Sequence, residues 1–275
     1  MTARGKPIGE LIVPLVTPRF GASVDFPSLK RLIEFVLHGG ADVLFVLGTT
    51  GEFQYLSPEE AERVIHTAAR GIRGRVPVWV GISAPSLEES LALAHRARES
   101  EAQAIVLAPM FGKGEPAWRL EGVLERPGLP VVLYNNPEIH GGSMLPLPLV
   151  REYAHHPRII GIKDSSGDWA HFLELVKLQS EGFRVFQGRE SLILRSLEAG
   201  AQGIVAGLAN VAPALCKEML LRRDQATMER ILEAKAELKK LSPDPIHALK
   251  KKLFELGVIR SDEVFKDISP SSKGG

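Results

Sequence analysis

A lysine closes an otherwise apolar run at Arg158-Ile159-Ile160-Gly161-Ile162-Lys163-Asp164. Extended alternation puts Ile159, Gly161 and Lys163 on one face of that run. Burial at the end of an apolar strand disfavours an ammonium. A neutral amine in such a place attacks a ketone to form an imine, which then acts as an electron sink. A structural lysine paired with Asp164 fits the same spacing. Tyr134 closes a second apolar run and precedes Asn135-Asn136-Pro137. A phenol at a strand end relays protons; a ring packed with its hydroxyl outside is the plainer use. Gly48-Thr49-Thr50-Gly51-Glu52 follows a third run. Its glycines permit a tight turn with inward amides, and those amides with two hydroxyls suit a carboxylate. An ordinary turn is the alternative.

Other motifs carry less. Gly203-Ile204-Val205-Ala206-Gly207 and Phe111-Gly112-Lys113-Gly114 are weak phosphate-site signals, because glycine is common at such turns. The eight histidines show no metal-ligand spacing, so no metal is expected. His155-His156 reads as a solvated loop pair, and Lys250-Lys251-Lys252 as a wet helix face. No Gly-x-Ser-x-Gly elbow is present.

The elements that must position these residues alternate along the chain. Short apolar runs at 11–16, 43–47, 76–81, 104–107, 131–134, 159–162, 184–186 and 203–206 read as strands buried on both faces, as in parallel sheets. Amphipathic stretches lie between them. Ser57-Pro58-Glu59-Glu60 and Ser86-Leu87-Glu88-Glu89 are capping boxes, and Gly39-Gly40 stops a helix over 27–38. Helices are also expected at about 117–124, 169–179 and 192–198. Eight such units predict a (β/α)8 barrel; an open doubly wound sheet is the competitor, and no nucleotide fingerprint follows the first strand. The barrel is assigned to residues 1–210. Three added helices, 212–221, 225–241 and 246–256, form a C-terminal extension over 211–268 packed on it. Residues 269–275 read as a flexible tail.

The 275 residues are 44% hydrophobic, enough for one large core. Lys plus Arg number 34 and Asp plus Glu 33, giving +1, a balance that points to no nucleic acid and no membrane surface. One cysteine, Cys216, allows no internal disulfide. No signal peptide and no membrane span are evident, so a cytoplasmic location is expected.

With these motifs in order, the chain resembles the dihydrodipicolinate synthase / N-acetylneuraminate lyase family from about residue 8 to residue 256. The anchors are Pro14-Leu15-Val16-Thr17-Pro18, Gly48-Thr49-Thr50-Gly51-Glu52, Tyr134-Asn135-Asn136-Pro137 and Gly161-Ile162-Lys163-Asp164. Gly188, Gly203 to Val211 and Pro245 to Lys250 are weaker matches. The resemblance implies a class I aldolase that joins pyruvate and an aldehyde, or cleaves the product, with no cofactor. It implies that Lys163 condenses with pyruvate or a 2-keto acid and that Tyr134 shuttles protons. Thr49, Thr50 and Gly51 would hold the carboxylate, and Val205 and Gly188 would line the pocket. A homotetramer, as a dimer of dimers, is also implied. Two departures stand out. Synthases of the lysine pathway carry an Arg where Ile139 stands, and a second relay tyrosine where Phe111 stands. Both departures favour aldolases of 2-keto-3-deoxy sugar acids or related hydroxy-keto acids over 4-hydroxy-tetrahydrodipicolinate synthase. A catalytically silent keto-acid binder is the alternative of another class.

Overall fold

The computed structural model describes residues 10–111, 115–126, 128–139 and 141–265. Each apolar run becomes a parallel strand: β1 (Glu10–Pro14), β2 (Val43–Val46), β3 (Val78–Gly81), β4 (Ala104–Leu107), β5 (Val131–Asn135), β6 (Ile159–Asp164), β7 (Arg184–Gln187) and β8 (Gly203–Val205). Neighbours in sequence pair in space, and the sheet closes because Ile12 of β1 registers with both Val43 of β2 and Val205 of β8. The fold is a (β/α)8 barrel with extra C-terminal helices.

Alternation divides the strand residues into two apolar layers. Leu11, Val13, Leu44, Val46, Val78 and Val80 face the helices. Ile12, Phe45, Trp79, Val106, Val132 and Phe186 fill the barrel interior. Trp79 meets Phe186 edge to face, 5.4 Å between centroids, so large rings plug the centre. Each buried aliphatic or aromatic side chain contributes about 1.5–3 kcal/mol, so the interior holds the strand ends rigidly.

β6 departs from simple alternation. Val131 registers with Ile159 but Val132 with Gly161, so a bulge sits at Ile160. Ile159 joins the helix-facing layer while Ile160 packs on the interior. The expected shared face of Ile159, Gly161 and Lys163 therefore fails at Ile159. Gly161 is required there, because an added Cβ would lie 2.3 Å from the Arg184 carbonyl oxygen.

The helices are α1 (Phe26–His38), α2 (Pro58–Ile72), α3 (Leu87–Glu99), α4 (Pro116–Leu124), α5 (Leu147–Tyr153), α6 (Trp169–Val176), α7 (Ile193–Glu198), α8 (Pro213–Arg222), α9 (Gln225–Leu241) and α10 (Pro245–Glu255). Both capping boxes form, on α2 and α3, satisfying orphan amides reciprocally. A two-stranded hairpin, Arg19–Phe20 with Ser23–Val24, was not expected, since two-residue strands leave no periodic signal. The last helices and the segment after them are tied to the barrel by polar links. Lys217 of α8 reaches Asp42 at 2.6 Å, Arg260 reaches Asp25 at 2.8 Å, and Arg19 donates to the Val264 carbonyl at 2.8 Å. Among the described residues no helix is long and apolar enough to cross a membrane. The tail expected over 269–275, and Gly112-Lys113-Gly114, lie outside the described residues.

Candidate active site

At the carboxyl ends of the strands, Tyr134 and Lys163 stand side by side because β5 and β6 register them as a pair. The bulge carries Lys163 inward. Its Nζ lies 3.9 Å from the centroid of the Tyr134 ring and 5.3 Å from that of Phe45. Only 6% of Lys163 is exposed. Lys163 makes no salt bridge to Asp164, which points the other way. Asp164 accepts from Asn135 Nδ2 at 2.6 Å and from Ser166 Oγ at 2.9 Å. Burial pushes the Asp164 carboxyl above its ordinary value, against those hydrogen bonds and the nearby His171.

The Tyr134 hydroxyl accepts from Asn136 Nδ2 at 2.9 Å and lies 3.5 Å from Thr49 Oγ1. Burial raises the phenol's pKa. The Lys163 charge opposes it, with hydrogen bonds to Thr49, Lys163 and Ser165, and the sum holds Tyr134 below its ordinary value. A phenol so placed gives up its proton more readily than a free tyrosine, and its phenolate is more populated as an acceptor.

Gly48 leads into a single 3₁₀ turn, Thr49–Gly51. The turn is closed by Gly51 N–H to Gly48 O at 2.9 Å and Glu52 N–H to Thr49 O at 3.0 Å, and Thr17 Oγ1 donates to Gly51 O at 2.8 Å. Thr49 and Thr50 face a cavity of about 530 Å³ that also meets Tyr134, Lys163, Gly188 and Val205. Gly51 does not reach the cavity wall; its amide is spent inside the turn. Gly188 leaves no free room for a side chain: a Cβ would lie 2.1 Å from Ser165 Oγ and 3.2 Å from Lys163 Cε, so one or both would have to move. Six of the seven site residues expected from sequence thus converge on one cavity.

The same cavity contains groups that the strand pattern did not point to. Ser165, Asn136 and Glu138 come from the β5 and β6 loops, Arg189 and Glu190 from the β7 loop, and Lys235 and Lys239 from α9. Arg189 donates to Ser165 O and to Glu138 Oε1, both at 2.7 Å. Glu190 pairs with Lys235 at 2.8 Å. The four-residue spacing of Lys235 and Lys239 marks one helix face, but nothing in the sequence says which face meets the barrel. Phe111 and Ile139 pack on the interior cluster, and Phe111 meets Phe53 at 5.4 Å. One expectation is reversed: Lys250 is fully buried rather than wet. Its neighbours on the helix face, Ile246 and Leu253, were the available signal.

No group of three His, Cys, Asp or Glu side chains suited to a metal occurs among the described residues. The arrangement offers an amine, a perturbed phenol and a polar turn around one cavity. That set can add the amine to a carbonyl, hold a neighbouring carboxylate and move protons.

Comparison with known proteins identifies relatives of the chain. Residues 7–269 match the family model described as the dihydrodipicolinate synthetase family. A 4-hydroxy-tetrahydrodipicolinate synthase of Methylococcus capsulatus is 35% identical over 260 residues, covering 90% of this chain and 89% of that one. The dihydrodipicolinate synthase structure from Bacteroides thetaiotaomicron superposes with a TM-score of 0.87 at 32% identity, covering 95% of this chain and 93% of that one. A chloride-inhibited dihydrodipicolinate synthase from Acinetobacter baumannii, complexed with pyruvate, gives 0.84 at 27% identity, with coverage of 97% and 94%.

Proposed function

This chain belongs to the dihydrodipicolinate synthetase family of pyruvate-dependent class I lyases, and we propose that Lys163 is its imine-forming amine and Tyr134 its proton relay. The observation that carries the proposal is Lys163 Nζ held 3.9 Å over the Tyr134 ring, in a cavity shared with Thr49 and Thr50.

Unprotonated Lys163 adds through Nζ to C2 of pyruvate, and loss of water leaves the imine. Thr49 and Thr50 seat the pyruvate carboxylate. Tyr134, as the phenolate, takes a C3 proton to give the enamine, whose C3 attacks the aldehyde carbon. Tyr134 returns a proton to the oxygen that becomes the hydroxyl; water then releases Lys163 from an open-chain product, whereas an aldehyde that carries its own amine adds that amine to C2, closes a ring and displaces Lys163. Cleavage runs the same steps backwards. Val205 and Gly188 line the pocket beside the imine. The division into a barrel to residue 210 and a helical extension over 211–268, the homotetramer and the cytoplasmic location belong to the same proposal.

For the aldehyde, the names of the relatives favour 4-hydroxy-tetrahydrodipicolinate synthase chemistry, with aspartate semialdehyde as partner. Arg189, on the loop after β7, supplies a guanidinium at the cavity wall where Ile139 offers none. It would take the aldehyde's carboxylate in exchange for Glu138. Ile139 and Phe111 favour the second reading, cleavage of a 2-keto-3-deoxy sugar acid. Measured kcat/KM for both reactions decides between them. On the synthase reading, Arg189→Leu raises the KM for aspartate semialdehyde about tenfold or more, while pyruvate imine forms as before. Faster cleavage of the sugar acid by the parent, untouched by Arg189→Leu, selects the aldolase instead. Any Lys163-dependent turnover excludes a silent binder.

A further inference from the structure

The catalytic cycle above leaves one buried charge pair unused. Glu52 directly follows the Thr49–Gly51 turn and takes a left-handed backbone conformation, φ 55°. A non-glycine residue holds that conformation only when its surroundings fix it. Its side chain is the anchor. One carboxylate oxygen pairs with Lys250 Nζ of α10, and the other accepts the Phe265 amide at 2.7 Å. Lys250 Nζ also donates to the Glu263 carbonyl at 3.0 Å and lies 5.0 Å from the Phe265 ring. The Lys250 and Glu52 side chains are 0% and 3% exposed.

A buried ion pair is a poor source of stability, because desolvation offsets the attraction; its value is directional. Here the direction runs from the C-terminal segment to the turn that faces the cavity. Among the described residues no strand or helix of the barrel does this for Glu52: its carboxylate oxygens are held by Lys250 and by the backbone at Phe265. We propose that Glu52 and Lys250 are positioning residues that hold the Thr49–Thr50 turn in its carboxylate-binding shape, so that keto-acid binding depends on α10 and residues 263–265. This rests on the reading of Thr49 and Thr50 as the carboxylate seat. Neither Glu52 nor Lys250 lines the cavity, so both act through the turn.

By reciprocity, a ligand on the turn must stabilise the segment that holds it. The test is hydrogen exchange on the unaltered full chain, before and after pyruvate is fixed on Lys163 by borohydride. Exchange at the Phe265 amide and in the 48–56 segment should slow together, by at least about fivefold, the low end of typical coupling between sites. A second measurement uses the uncharged pair Glu52→Gln with Lys250→Met. It should raise the KM for pyruvate about tenfold or more with a much smaller effect on kcat, and Lys250→Arg alone should keep more of the affinity. Should these variants fail to fold, the exchange measurement on the unaltered chain decides. A trapped adduct with unchanged exchange at Phe265 overturns the inference alone, as does a folded double variant with parental KM. Failure of pyruvate to trap on Lys163 at all overturns the functional reading, and this inference with it.

Discussion

At Lys163 and Tyr134, charge and burial act on each other. The phenol is buried, which alone would raise its pKa, yet the Lys163 charge and hydrogen bonds to Thr49, Lys163 and Ser165 hold it below its ordinary value. Tyr153 shows the opposite balance: burial and its 2.9 Å hydrogen bond to Glu121 push it up to about 12. Tyrosinate absorbance therefore separates the two. The component lost in Tyr134→Phe should titrate below the ordinary value of 10.0. In Lys163→Met that component should move upward, because the opposing charge is gone and burial remains. A Tyr134 component that ignores Lys163→Met would contradict the pairing. These residues were legible in the sequence because a polar group at the end of an apolar run has few places to go. Arg189, Glu190 and Lys235 were not, because loops and a distant helix deliver them and no periodicity marks them.

Elements set how finely those residues are placed. The bulge at Ile160 turns Lys163 inward, and the Gly188 backbone after β7 runs directly against Lys163 and Ser165. Gly188→Ala should leave the barrel folded but displace one or both neighbours. The rate of imine formation with pyruvate should then fall about a hundredfold, the cost of a misplacement near 1 Å. Circular dichroism and the rate of adduct formation check the two halves; an unimpaired rate would show that the strand end tolerates the methyl group. The eight strands were readable because apolar runs buried on two faces have little other use, with ends shifted by a residue or two where ladder hydrogen bonds decide. The bulge was not readable: a one-residue insertion changes which face Ile159 takes without changing the apolar run. Lys250 was misread for the converse reason, since three consecutive lysines look solvated until the helix face is traced.

At the scale of the molecule, the C-terminal segment closes back on the first elements. Asp25 caps α1 and also receives Arg260 at 2.8 Å. Burial raises the Asp25 carboxyl, but its bonds to Ser28 and Arg260 outweigh that and hold it below the ordinary 3.8. Asp224, the cap of α9, falls to about 2, chiefly through its bonds to Thr227 and then Arg222. Folded-state values below the unfolded one mean stability that is fully present above about pH 4 and lost as pH falls through the folded values. The urea midpoint should therefore drop steeply as pH falls below about 4. Asp25→Asn should start from a lower midpoint at neutral pH and show a shallower acid drop. An unchanged acid slope would remove Asp25 from this account. The closed barrel was legible from eight regular units. The ties that fasten the extension were not, because Asp25–Arg260 and Glu52–Lys250 join residues about two hundred positions apart.

The central claim is the amine at Lys163, and the most direct measurement is borohydride reduction in the presence of pyruvate, followed by peptide mass spectrometry. The account predicts one reduced pyruvate adduct per chain, on Lys163, lost in Lys163→Ala while the protein stays folded. An adduct on another lysine, or none on folded protein across a range of pH, would contradict it.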